Sequence, residues 1–86
     1  MSEVDEKIKF EHYRCDEYGE LRRYYRNVKN NWVPAPRGGL TICTITDGNG
    51  REFHGTSSCS RLDSFSYKMG RRVALGRAQK EQRLAR

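Results

Sequence analysis

The chain has 86 residues and a formal net charge of +6, and hydrophobic residues make up only 35% of it. A chain of this length forms one domain with a thin core, so we treat residues 1–86 as a single domain. No stretch approaches the roughly 20 apolar residues of a membrane-spanning helix, and the N-terminus lacks the apolar segment of a signal peptide. The three cysteines, an odd number, argue against a disulfide framework. These exclusions predict a soluble, cytoplasmic protein.

The first half of the sequence predicts one antiparallel hairpin. Residues 1–6 are mostly acidic and polar, and we expect them to form a frayed tail. Residues 7–15 alternate between apolar and polar side chains but change face midway, which predicts a strand with a bulge. A turn with Gly19 at a positive φ follows, and the aromatic and basic residues 21–28 are expected to return as a second strand.

A second hairpin is predicted after a loop. Residues 30–39 contain two prolines and two glycines, which exclude a regular element, and Trp32 among them is expected to fold back onto the core edge. Residues 40–46 are β-branched and alternate, as in a strand. The Asp-Gly-Asn-Gly sequence that follows is typical of a tight hairpin turn, so residues 51–57 are expected to pair back.

The C-terminal part of the chain predicts an amphipathic helix. Its N-cap has three candidates: Ser60, Asp63 and Ser66. Apolar positions at spacings of four, four and three predict a stripe that faces the core: Phe65, Met69, Val73 and Gly76. Small residues flank this stripe and would let the helix lie close against a sheet: Gly70, Ala74 and Ala78. Residues 80–86 are polar and are expected to fray.

Two glycines within this predicted helix need a reason. Gly70 and Gly76 each cost about 1 kcal/mol relative to alanine in a helix interior. Close packing against the sheet, close approach to a partner, or an early end of the helix would each account for them. The sequence leaves these three explanations open.

Together these elements predict an α+β domain, in which an antiparallel sheet of about four strands, arranged as two hairpins, packs against one C-terminal helix. In the favoured registers Phe53 and Ile42 lie on the same face of the second hairpin. We expect six side chains to form the core: Phe10, Ile42, Phe53, Phe65, Met69 and Val73.

The net charge of the chain lies entirely in its last quarter. Residues 66–86 hold seven of the 17 basic and one of the 11 acidic residues, so the other 10 basic and 10 acidic residues cancel. Clustered cations suit backbone phosphates, because binding releases counterions, and the free N–H groups of a helix start also suit an anion. We therefore predict that four side chains contact a partner: Lys68, Arg71, Arg72 and Arg77.

A second basic patch is predicted within residues 21–28, where neighbouring arginines and tyrosines can serve both phosphate contact and stacking: Arg22, Arg23, Tyr24 and Arg26. The partner of both patches is expected to be nucleic acid, a nucleoprotein complex or an acidic protein surface, since aromatic residues and arginine are also enriched at protein interfaces. A basic face that only keeps the protein in solution is the remaining interpretation.

Metal binding and catalysis have weaker support. Five side chains have zinc-ligand chemistry: His12, Cys15, Cys43, His54 and Cys59. They include no Cys-x-x-Cys pair, and residues three apart on a strand point to opposite faces, so a small structural zinc-binding domain is kept only as an alternative. No nucleophile–base set or phosphate loop can be assembled from local spacing. We expect a protein that is not an enzyme, needs no cofactor, and binds neither a small-molecule substrate nor a membrane.

The second predicted hairpin and the helix start, residues 66–74, resemble in layout the last two strands and second helix of double-stranded-RNA-binding domains. In that family a basic cluster at the start of this helix grips phosphates across a groove. The resemblance implies such a role for Lys68, Arg71 and Arg72, as in a sequence-independent module for duplex DNA or RNA. The family's first helix has no counterpart, because residues 7–28 predict strands.

Residues 59–78 are similar to the tail of small bacteriophage accessory proteins, in which an Asp-x-Phe sequence precedes a Gly-Arg-x-Val-Ala-x-Gly-Arg-Ala helix. The residues that match this pattern are Asp63, Phe65, Gly70, Arg71, Gly76, Arg77 and Ala78. The resemblance implies a non-enzymatic, anti-CRISPR-like binder in the host bacterial cytoplasm, which engages a nucleic-acid-processing or defence complex and modulates or inhibits it. An inhibitor that mimics DNA would be acidic, so a basic chain disfavours mimicry.

Overall fold

The structure, a computed structural model, describes residues 6–25 and 28–85. Within these ranges the elements are β1 (Lys7–Cys15), β2 (Leu21–Tyr24), β3 (Arg37–Thr46), β4 (Glu52–Ser64) and α1 (Tyr67–Leu84). The strands form one antiparallel sheet in the order β2-β1-β3-β4, and α1 packs on β3 and β4. The predicted α+β fold with one C-terminal helix is confirmed. Most of the predicted N-terminal tail lies outside the described residues.

Both hairpins are closed by the same kind of turn, which begins at Asp16 in the first and at Asp47 in the second. Each aspartate N–H donates to the carbonyl four residues ahead at 2.9 Å, and one carboxylate oxygen accepts two backbone N–H groups at 2.9 Å. The turn glycines, Gly19 and Gly50, have φ of 80° and 83°, which other residues rarely adopt. A three-residue loop that ends in such a glycine suits the twist of a hairpin.

β1 is a regular strand, although its apolar residues change face. It pairs with β3 without a break from Lys7 to Tyr13, so the predicted bulge in this strand is wrong. The change of face arises because the end of β1 is covered on both sides. Cys15 is buried beside the segment that connects β2 to β3, whose Ala35 N–H donates to the Cys15 carbonyl at 2.8 Å.

The other strand ends also differ from the prediction. β2 ends at Tyr24, four residues before the predicted end. β3 begins early, at Arg37, and β4 continues to Ser64 to pair with it. A register shift lies between Arg37 and Gly39 of β3, and the strand segment from Cys59 to Ser64 is correspondingly longer. The second hairpin is therefore the longer half of the sheet.

α1 begins directly after Ser66, whose Oγ accepts the N–H three residues ahead at 3.1 Å. Ser66 is therefore the N-cap, whereas the other two candidates, Ser60 and Asp63, belong to β4. The helix runs for 18 residues and ends at Leu84. The predicted fraying from residue 80 is thus wrong for residues 80–84, and an early helix end does not explain Gly76.

The core lies between α1 and the second hairpin. It consists of Cys43, Ile45, Phe53, Ala74 and Ala78, with Phe10 and Leu75 packed against them. The helix backbone lies directly on Gly55 of β4, where an added Cβ would overlap the Ala74 carbonyl and the Ala78 nitrogen. Gly70 lies against the Thr41 side chain in a similar way. The prediction that small residues let the helix lie close to the sheet is confirmed.

The predicted core stripe of the helix is wrong. Met69 is 57% exposed and Gly76 is also exposed, whereas Phe65 and Val73 are half-buried. The physical reason is the contact at Gly55, because it leaves no space for a large side chain between the two backbones. Small residues therefore occupy the inner face of α1. The residues of the predicted apolar stripe lie on the flank and on the exposed side of the helix.

The register of the second hairpin differs from the expected one. Phe53 pairs with Ile45, and both are buried under the helix. Ile42 is one residue out of phase, so it lies half-buried on the opposite face of the sheet. Of the predicted core residues in the strands, Phe53 is confirmed, Phe10 packs at the core margin, and Ile42 is wrong.

The contact at Gly55 predicts a large loss of stability on substitution. Gly55→Ala should lower the free energy of unfolding by about 3 kcal/mol, because the helix must move away from its core contacts. Urea unfolding followed by circular dichroism measures this loss. Gly76→Ala is the matched control, since an added Cβ there meets nothing within 4 Å, and it should stabilise the protein by about 1 kcal/mol. Equal effects of the two changes would contradict the packing described.

The turn of the second hairpin predicts a pH dependence of stability. The backbone N–H of Arg51, helped by that of Asn49 and by the Arg51 guanidinium, holds the pKa of Asp47 below its ordinary value. The resulting stabilisation is fully present above the ordinary aspartate pKa of about 3.9 and is lost as the pH falls through the lowered pKa. The difference in Tm between wild type and Asp47→Asn should therefore exist at neutral pH and vanish in acid. A difference that persists in acid would contradict a role for the charge.

Candidate nucleic-acid interface

The outward face of α1 carries a row of basic side chains. Gly70, Ala74 and Ala78 are the buried positions of the helix, and with 3.6 residues per turn they define the opposite, solvent-facing side. Four exposed cations on that side form what we call the basic row: Lys68, Arg72, Lys80 and Arg83. The first two are among the predicted contact residues. The other two were not predicted, because the end of the helix was expected to fray.

No described residue of the protein neutralises the basic row. None of its four cations makes a hydrogen bond or an ion pair within residues 6–25 and 28–85. Glu81, the one acidic residue of α1, is turned towards β4, where its carboxylate accepts the His54 N–H at 3.2 Å. Among the described residues, the outward face of the helix therefore carries positive charge that no acidic side chain pairs with. Such a face attracts a negatively charged partner.

Arg77, another predicted contact residue, is held by the sheet. Its Nη1 donates to the Thr56 carbonyl of β4 at 2.7 Å. Together with Glu81, one turn further on, it covers backbone groups along the outer edge of β4. An uncovered edge strand is a template for pairing with another chain, so this contact protects the edge. Arg71 is half-buried on the flank of α1, beside the basic row.

The predicted second patch is divided between the two faces of the sheet, since alternate residues of β2 face opposite ways. Arg23 lies on the face away from α1, and its Nε is 3.6 Å from the Glu11 carboxylate. Arg22 and Tyr24 lie on the face towards α1. Arg26 lies outside the described residues. The three described members therefore do not form one surface.

A row of aromatic rings links the edge strand to the start of the helix. Trp32 folds back onto β2, where the Arg22 guanidinium lies 4.9 Å from its ring centroid and the Tyr24 ring meets it edge-on at 5.8 Å. Tyr24 in turn stacks with Tyr67, the first residue of α1, at 6.3 Å between centroids. These rings are half-buried, so their main role is packing between the first hairpin and the helix.

Arg14 of β1, which the sequence analysis did not single out, positions the start of α1. Its two terminal nitrogens donate to the Tyr67 hydroxyl and the Ala35 carbonyl, both at 2.9 Å, and its guanidinium lies 4.4 Å from the Phe65 ring centroid. Its Nε is buried and has no hydrogen-bond partner among the residues that the structure describes. Because Lys68 directly follows Tyr67, these contacts also fix where the basic row begins. The sequence signal that could have identified Arg14 is the alternation of side chains along β1, which places Arg14 on the face of the sheet towards α1.

The five candidate zinc ligands do not converge. Within the ranges that the structure describes, no three histidine, cysteine or acidic side chains come together as a metal site. Cys15 and Cys43 are buried free thiols, and burial raises the pKa of Cys43, which disfavours the thiolate that zinc requires. The Nδ1 atoms of His12 and His54 each lie 3.1 Å from a threonine hydroxyl. Cys59 is half-buried near backbone carbonyl groups of β4.

Comparison of the chain with protein-family models, curated proteins and solved structures gives no match. Among the described residues, no helix combines the length and the apolar character that crossing a membrane requires. The arrangement of charge on α1 is thus the main structural basis for assigning a function.

The structure predicts that two arginines of α1 differ in their effect on stability. Arg77→Ala removes the bond to the β4 edge and should lower the free energy of unfolding by about 1 kcal/mol. Arg72→Ala removes an exposed charge that has no partner among the described residues and should change the free energy of unfolding by less than about 0.5 kcal/mol. Chemical unfolding of both variants measures these effects. A loss in Arg72→Ala as large as that in Arg77→Ala would show that the basic row is not solvent-facing.

Proposed function

We propose that this chain is a small, non-enzymatic binding protein that engages nucleic acid through the basic row of α1. The observation that carries the proposal is the one-sided charge of the helix, because four cations that have no partner among the described residues share its outward face and its acid is engaged with the sheet. Cations arranged in this way neutralise successive phosphates and release their counterions.

The length of the basic row favours a polyanion over a small ligand. From Lys68 to Arg83 the row extends about 22 Å at 1.5 Å per residue. A single small anion cannot contact both ends of such a row, whereas a nucleic acid presents phosphates along its whole length. The helix is also held rigidly by its contact with Gly55 and by Arg14 at its start, so the cations are already positioned before binding.

The similarity of residues 59–78 to bacteriophage accessory proteins supports a proposal about the setting. In that setting the protein engages nucleic acid within a host nucleic-acid-processing or defence complex, in the bacterial cytoplasm, and modulates or inhibits the complex. The structure explains why two residues of the shared pattern, Gly70 and Ala78, are small, since both pack on the sheet. The cations of the basic row lie between and beyond these positions and are not themselves part of the pattern.

Docking to a protein partner is a second candidate function, favoured by a group of apolar side chains at the β2 end of the sheet. Five of them are more than half exposed: Tyr18, Leu21, Tyr25, Val28 and Val33. Exposed apolar and aromatic residues in one region often mark an interface. A protein partner held there would leave the outward face of α1 free for the nucleic acid of the same complex.

Fluorescence anisotropy with labelled duplex DNA, duplex RNA and single-stranded DNA at several salt concentrations tests the nucleic-acid proposal. We expect salt-sensitive binding, with a slope of log K against log salt of up to about −3.6 for four phosphate contacts on duplex DNA. The double variant Arg72→Glu with Arg83→Glu should lose this binding. Lys7→Glu with Lys9→Glu is the matched control, because it changes the charge equally on the opposite face of the sheet.

Two outcomes would count against the proposal. If the folded wild-type protein bound none of these probes at low salt, the nucleic-acid function would be overturned, and the apolar side chains near β2 would become the better candidate interface. If both double variants lost binding equally, the net charge of the protein, and not the basic row, would be responsible. A loss confined to the α1 variant supports the proposal.

A further inference from the structure

Gly76 lies in the middle of the basic row, and its packing against the described residues does not require a glycine at this position. An added Cβ would meet no atom of the described residues within 4 Å, whereas Gly55 lies against the helix backbone and Gly70 against Thr41. A glycine inside a helix costs about 1 kcal/mol relative to alanine, and α1 continues to Leu84. Close packing and an early helix end are therefore excluded as reasons for Gly76. Close approach of a partner remains.

The basic row is interrupted at this glycine. Two of its cations precede Gly76 and two follow it, so the row consists of two pairs. The inner members of the pairs, Arg72 and Lys80, are about 12 Å apart along the axis at 1.5 Å per residue. On the outward face between them lie Gly76 and the neutral, exposed Gln79. The helix thus presents positive charge at two places, separated by an uncharged surface in which position 76 has no side chain.

We propose that this face of α1 enters the major groove of double-stranded DNA, an inference that rests on the nucleic-acid function proposed above. The major groove of B-form DNA is about 12 Å wide and admits an α-helix. The two pairs of cations then contact phosphates of the two strands that border the groove. Gly76 lets the helix backbone approach the DNA surface at the point where a longer side chain would hold it away.

Other nucleic acids fit this face less well. The major groove of an RNA duplex is deep and too narrow for side chains to read. Single strands are held largely by bases that stack on aromatic side chains. The outward face of α1 offers no such ring, because Tyr67 is half-buried and its ring meets that of His12 edge-on at 4.8 Å. The combination of cation pairs with an uncharged centre at Gly76 favours a duplex with an open major groove.

Gly76→Leu tests this inference without changing the charge. A Cβ added at this exposed position meets no described atom within 4 Å, so the variant should fold and melt at or above the wild-type temperature. We expect its affinity for duplex DNA to fall about tenfold or more, because the side chain separates the helix from the groove. Thr56→Leu is the control, since it adds a side chain of the same kind to an exposed position on the other face of the sheet.

Chemical methylation of guanine N7, an atom of the major groove, gives an independent readout. Wild-type protein at saturation should reduce methylation of duplex DNA, and Gly76→Leu at the same concentration should not. Wild-type binding without protection of N7, or undiminished binding by Gly76→Leu, would overturn groove insertion and leave the phosphate-binding function intact. Failure of the wild-type protein to bind any nucleic acid would overturn both. Equal affinity for duplex RNA and duplex DNA would also count against the major groove.

Discussion

Contact between the backbones of α1 and β4 at Gly55 determines how the rest of the molecule is arranged. Since no side chain separates the two elements there, only glycine and alanine fit on the inner face of the helix. This sets the rotation of α1 about its axis and so decides which side chains meet solvent. The exposed charge of Arg72 and its neighbours is a consequence of that rotation, as is the contact of Arg77 and Glu81 with the edge of β4.

The Arg14 guanidinium, which lies against aromatic rings, is the second contact that holds the elements around the thin core together. Arg14 joins the first hairpin to the helix start through Tyr67, and to the connecting loop through Ala35. Taking a cation out of water is costly, and its hydrogen bonds and the ring face of Phe65 offset part of that cost. A small chain with few aliphatic residues thereby obtains a specific contact between distant segments. The contact also holds the first turn of the helix in place.

Signals that depend on neighbouring residues were sufficient to predict that two hairpins and a C-terminal helix form, because turn sequences are local, but they misplaced several strand ends and the end of the helix. The rotation of the helix was not predictable, since it depends on Gly55 in another element, and an apolar stripe through Met69 is the stronger sequence signal for a core face. The same limit applies to the candidate site. Arg72 could be predicted from charge and spacing, whereas the engagement of Arg77 and Arg14 depends on how strand and helix pack together.

The paired aspartate–glycine turns have a consequence for the order of folding. Each hairpin closes through residues that are near one another in the chain, whereas Arg14 and Tyr67 are 53 positions apart. Local contacts form early, and contacts that close long loops carry a larger entropic cost. All five residues of the buried cluster belong to β3, β4 and α1. We therefore expect residues 37–84 to become ordered first, and the N-terminal hairpin to dock afterwards, when the arginine enters its ring-lined site.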